Sequence, residues 1–184
     1  SCWYSLMKKL IPLILYPYAY IILMILYIPM DYAAGLQNPD KNGLFFTIIM
    51  LVAAIYNIYV IVISIYNAVI TSKLQFSVTD AAKRNLIIKG CQIPAYIFHF
   101  ILAFLGLFMS VFGIGLIMWA FIIDVLTIYF SGISSIGCAV RLCKEKRISK
   151  FAAVFLIIGN FIFCIDIIVA IVYMVKSRKN ISAN

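Results

Sequence analysis

Residues 92–140 run for 49 consecutive positions without a lysine or an arginine. As one straight helix this stretch would be about 73 Å long. Even with a tilt of about 40° it would extend roughly 56 Å along a membrane normal, against a hydrocarbon core of about 30 Å. It belongs in a membrane all the same: of the 184 residues, 66% are apolar and 11% charged, whereas soluble domains are roughly 45–50% apolar and 25% charged. So little polar surface cannot coat a soluble globule. The stretch must therefore fold back on itself. The apolar content also excludes disorder. The net charge of +9 does not point to nucleic acid, because the basic residues lie between apolar runs and not on one solvated face.

These constraints predict an all-α polytopic membrane protein, a single domain with spans near 10–30, 44–71, 92–111, 116–140 and 151–175. The turn inside the uncharged stretch is expected at Gly113-Ile114-Gly115, where glycines interrupt the apolar pattern. The distribution of positive charge supports the count. Five crossings with the N-terminus inside leave 11 of the 15 lysines and arginines on the cytoplasmic side, and four crossings leave 9. The alternative is four crossings with 92–111 re-entrant. With five crossings the basic C-terminal segment, with Lys176, Arg178 and Lys179, falls on the outer side, against the trend. Connectors are short. Asn38-Pro39 and Asn42-Gly43 mark turns, Thr79 and Asp80 are expected to cap a short interfacial helix within 73–91, and Ser149 to cap the last span. Asn180-Ile181-Ser182 matches a glycosylation sequon. Isoleucine outnumbers leucine and lysine outnumbers arginine, a composition that suggests a bacterial inner membrane.

Small and polar residues recur at steps of three and four, which places them on one face of each helix. One seam is Gln92, Tyr96, His99, Ala103, Gly106 and Ser110; a second is Ala120, Asp124, Thr127, Ser131, Ser134 and Cys138. A third is Ala53, Asn57, Val60, Ser64, Asn67 and Thr71, and a fourth is Ala152, Gly159, Asp166, Ala170 and Tyr173. Bulky apolar faces meet lipid tails, so these seams should meet one another. Packing alone accounts for Ala53, Ala103, Gly106, Ser110, Ser135 and Gly159.

The acidic residues demand more. A carboxylate near the bilayer centre costs at least roughly 2.5–3.5 kcal/mol, yet Asp124 and Asp166 both lie inside apolar runs. Their distances from the expected span centres predict that they face each other at one depth. Such a pair would share a proton, hold a monovalent cation, or stand protonated as structural hydrogen-bond donors. The expected ion- or solute-binding set is Asp124, Asp166, Asn57, His99, Asn160, Thr127 and Ser131, with no other cofactor, no metal and no catalytic residue. The function this implies is proton- or cation-coupled transport. A non-catalytic subunit or assembly protein, in which the seams only pack helices, is the competing expectation. Expected partners are the bilayer, anionic lipid headgroups at Arg141, Lys144, Lys146, Arg147 and Lys150, and another membrane protein or a second copy.

Gly132-Ile133-Ser134-Ser135 resembles the Gly-x-Ser-Gly motif of rhomboid-type intramembrane proteases. The resemblance covers four residues, departs from the motif at Ser135, and implies a remote enzyme reading in which Ser134 and His99 form a dyad. In that family the histidine follows the serine along the chain; here it precedes it. The five cysteines include no Cys-x-x-Cys pair, and neither zinc spacing nor a Walker A string occurs.

Overall fold

A computed structural model describes residues 9–37, 44–73 and 77–178. The expected turns at 38–39 and 42–43, Cys2, Lys8, Lys41, Lys179 and the sequon lie outside them. Among the described residues the fold is all-helical: α1 (Ile11–Gln37), α2 (Leu44–Ser72), α3 (Val78–Gly106), α4 (Ser110–Lys144), α5 (Lys150–Gly159) and α6 (Ile165–Arg178). Three of these, α2, α3 and α4, are each long and apolar enough to cross a membrane, and α1 and α5 contribute shorter apolar segments. This is a helical membrane protein. Its outer surface is Ile, Phe, Leu and Val, as at Ile55, Phe100 and Phe121. The interior holds most of the seam residues, including Ser64, Asn67, Gln92, His99, Thr127, Ser131 and Asp166. Helix α4 is central and touches every other helix.

The long apolar stretch does turn back, but at Leu107–Met109 and not at the glycines. Three successive short-range bonds (Leu107 N to Phe104 O, Phe108 N to Leu105 O, Met109 N to Gly106 O) tighten the end of α3, and Ser110 takes a left-handed φ of 53°. Gly113 serves a different purpose. A Cβ there would overlap the carbonyl oxygen of Gly106, so the two glycines let α3 and α4 close together below the turn.

The connector expected over 73–91 is mostly helix. Ser77 caps α3 by accepting the Asp80 amide at 3.0 Å, and the helix then runs without interruption to Gly106. Lys83, Arg84 and Lys89, which read as loop charges, are thereby carried up α3. Ser149 caps α5 as expected, accepting from Ala152 N at 3.1 Å.

The largest departure is at the last apolar stretch, which does not form one continuous span. Helix α5 stops after ten residues, the chain turns through 160–164 with Cys164 at φ 65°, and α6 returns beside it. The contacts fix the direction. Asp166, in the first turn of α6, meets Lys89, while Ser177, near its end, accepts hydrogen bonds from Thr79 at 3.3 Å and from Arg147 at 3.0 Å. Helix α6 is therefore antiparallel to α3 and ends where α3 begins. On the other arm, the turn residues Asn160 and Phe161 lie against Gly132 of α4. The two arms form a hairpin that reaches about 15 Å into the bundle, the rise from Thr79 to Lys89. That is half of a bilayer core.

Other contacts gather at the base of this hairpin. Lys9 at the start of α1 donates to Tyr66 Oη at 3.0 Å, and Lys144 donates to Ser72 O at 3.0 Å. The first and last described residues thus lie at the same end of the bundle, with all the described lysines and arginines in that half. In the basic segment, Glu145 takes Arg141 at 2.6 Å and Arg147 at 3.4 Å. Arg141 is buried, and Lys144, Lys146 and Lys150 remain exposed.

Candidate functional site

The α3 seam extends further than the sequence reading carried it: Asn85, Lys89, Gln92, Tyr96 and His99 continue the steps of four and three, and all five are buried. Lys89 and Asp166 are fully enclosed. Lys89 Nζ donates to Asp166 Oδ2 at 2.8 Å and to Ser131 Oγ at 2.7 Å. Asp166 stands in the first turn of α6, where the helix dipole also favours its charge. Its Oδ1 has no hydrogen-bond partner among the described residues. Burying two charges is costly, and only close pairing with further hydrogen bonds offsets it.

A second pair lies deeper. His99 Nδ1 is 2.5 Å from Asp124 Oδ1, and the Trp119 ring packs edge-on to the imidazole at 5.2 Å. His99 is fully enclosed, whereas the Asp124 side chain is 14% exposed. Between the pairs along α3 stands Tyr96, its ring packed against Phe163 at 5.6 Å. Its hydroxyl and His99 Nε2 are buried without hydrogen-bond partners among the described residues. From the base inward the ionisable side chains are therefore Lys89 with Asp166, then Tyr96, then Asp124 with His99.

The sequence predicts one pair of facing carboxyls; the structure pairs each carboxyl separately, Asp166 with Lys89 and Asp124 with His99. Ser131 marks the level of Asp166 on α4, and Asp124 is seven residues beyond it, about 10 Å along the axis. The last apolar stretch turns back part of the way along the bundle, so Asp166 does not reach the level of Asp124. No shared proton or directly coordinated ion joins two groups at that range.

The other expected site residues scatter. Asn57 lies in a tyrosine cluster between α1 and α2, accepting from Tyr16 Oη and donating to Tyr20 Oη, each at 2.6 Å. Asn160 is buried at the hairpin turn and donates to Tyr173 Oη at 2.8 Å. Thr127 bonds back to Ile123 O at 2.7 Å. Ser131 alone joins an ion pair. Ser134 is bonded to Asn67, which also takes Arg84, so the Ser134–His99 dyad does not form. Among the described residues no group of three or more metal-ligating side chains converges.

Above the hairpin tip is a cleft of about 370 Å³ lined by Phe121, Asp124, Val125, Ile128, Tyr129, Phe161 and Phe163. It occupies the place a continuous last span would have filled. Irregular backbone at membrane depth is tolerated where it is buried in protein or lines a water-filled cavity. At the tip, Phe161 N bonds Ile158 O, Ile162 N bonds Gly159 O and Asp166 N bonds Ile162 O, while the side chains of Phe161, Ile162 and Phe163 are exposed.

Comparison with curated proteins and with solved structures returns no match to either. A family profile matches residues 8–179, nearly the whole sequence, and the chain belongs to that family, a family of unknown function designated DUF6652.

Proposed function

We propose that this protein is a proton-coupled transporter of the bacterial inner membrane, with α1 to α4 crossing the bilayer and α5–α6 entering and leaving from the cytoplasmic side. The observation that carries the reading is the Lys89–Asp166 pair, enclosed at the tip of a half-depth hairpin. Intramembrane charges that face a bundle interior and pair with one another mark ion pathways and proton relays, and half-helix termini at mid-membrane are where transporters place their binding groups. Tyr96 links the Lys89–Asp166 pair to Asp124–His99, and each stage offers a buried polar atom without a partner among the described residues. Protons would pass between the cleft and the cytoplasmic side along this line.

The charge distribution supports the orientation. With the hairpin re-entrant, 13 of the 15 lysines and arginines fall on the inner side, Lys89 lies within the bundle and Lys41 alone falls outside, a stronger bias than five crossings give. Exposed Lys144, Lys146 and Lys150 would meet anionic headgroups at the base. Single cysteines at 38 and 180, in a background lacking the native thiols, separate the topologies. We expect an impermeant thiol reagent added to intact cells to label position 38 and leave 180 protected. Labelling at 180 requires a fifth crossing.

For the relay, the purified protein in proteoliposomes is given a potassium gradient with valinomycin, and proton uptake is followed with an internal pH dye. Wild-type vesicles should acidify, with Asp166→Asn and Lys89→Met each lowering the rate by about tenfold or more, the scale of losing a positioned acid–base group. Equal rates in wild-type, variant and empty vesicles reject the relay and favour a packing subunit.

A further inference from the structure

We infer that the cleft above the hairpin tip binds a lipophilic organic cation, with Asp124 as its counter-ion. This rests on the reading of the bundle as a transporter and names the class of its substrate. The cleft combines two features. Its walls are aromatic and aliphatic, with the rings of Phe121, Tyr129, Phe161 and Phe163 around one space. Its single charged lining residue is a carboxylate, and that carboxylate is partly open to the space while its partner His99 is closed off behind it. A volume of about 370 Å³ falls in the range of small-molecule sites, about 300–1,000 Å³. Aromatic faces attract cations and repel anions. A hydrated metal ion would find one acidic ligand and no further oxygen shell, which does not satisfy a hard cation. An anion would meet Asp124 and four ring faces. A neutral apolar molecule leaves the carboxylate unused.

The location fits the class. A monovalent cation with an apolar body partitions to the membrane, and the cleft opens among lipid-facing residues such as Phe121 and Phe163. His99 on α3 meets Asp124 at 2.5 Å, and Tyr129 lines the cleft beside it.

The test uses tetraphenylphosphonium and tetraphenylborate, ions of nearly the same shape and opposite charge, in equilibrium dialysis against the purified full chain in nanodiscs, with empty nanodiscs subtracted. We expect saturable binding of the phosphonium ion and none of the borate. Asp124→Asn should weaken phosphonium binding by about 30-fold or more, as for loss of one partner of a desolvated charge pair. Phe163→Ala should weaken it by about three- to tenfold. Equal binding of both ions, or phosphonium binding unchanged in Asp124→Asn, overturns the assignment; the ion comparison needs no variant and so stands even if a substitution fails to fold. Binding and proton flux are measured apart. Absent binding with Asp166-dependent flux removes the substrate class and leaves the relay; specific binding without flux does the reverse.

Discussion

Replacing Lys89 with methionine should destabilise the protein by about 3–5 kcal/mol, because Asp166 is then left buried without its cation. Asp166→Leu should cost about as much, since it strands the ammonium beside Ser131. The double variant Lys89→Met/Asp166→Leu should regain most of that loss, as buried ion pairs replaced by apolar residues of similar volume are often neutral. Thermal or detergent unfolding of the four proteins measures the cycle. Proton uptake should remain absent in the double variant although stability returns, and this dissociation separates a working pair from a structural clamp. Strictly additive stability losses would mean that the two side chains do not interact. The coupling lies between a lysine and an aspartate; Asp124 and Asp166, about 10 Å apart along the axis, should give a nearly additive cycle.

A second large effect is expected where α2 and α4 cross. A Cβ at Gly137 would overlap the carbonyl oxygen of Ala68, and the bond from Asn67 to Ser134 lies next to this contact. Gly137→Val forces the backbones apart and should cost about 3 kcal/mol, the upper end for overpacking a filled site. Gly115→Ala is the control. Nothing lies within 4 Å of the added carbon there, so the change should be neutral or stabilise α4 by up to about 1 kcal/mol. Equal stability of the two variants would show that the helices are not in backbone contact at Gly137.

Much of this architecture could be read from residue spacing. The steps that picked out Ser64, Asn67, Thr127, Ser131, Asp166 and Tyr173 correspond to buried positions, because in lipid the side-chain pattern is set by what faces a neighbouring helix. The reversal within 92–140 followed from length. Lys89 was misplaced for an equally physical reason. A lysine reads as a boundary of an apolar span, and only its position three residues before Gln92 and four after Asn85 marks it as part of the seam. The turn was sought at Gly113 because glycine breaks helices, whereas here it permits close approach. The hairpin tip had no local signal: Phe161-Ile162-Phe163 is as compatible with a continuous helix as with a turn. What argued against a crossing was remote from it, in the basic residues after Met174. Asp124 was legible as costly, but its partner depended on tertiary register.

Because Asp166 has its counter-charge on α3 and its neighbouring hydroxyl on α4, the hairpin cannot lodge at mid-depth before those two helices stand together. The order of biogenesis is thereby constrained. Helices α3 and α4 must pack together first, and the arms α5 and α6 then fold up into a groove already built. A nascent chain halted before Asp166 would carry Lys89 bare within the bilayer, a species that membrane quality control should recognise by that single uncovered charge.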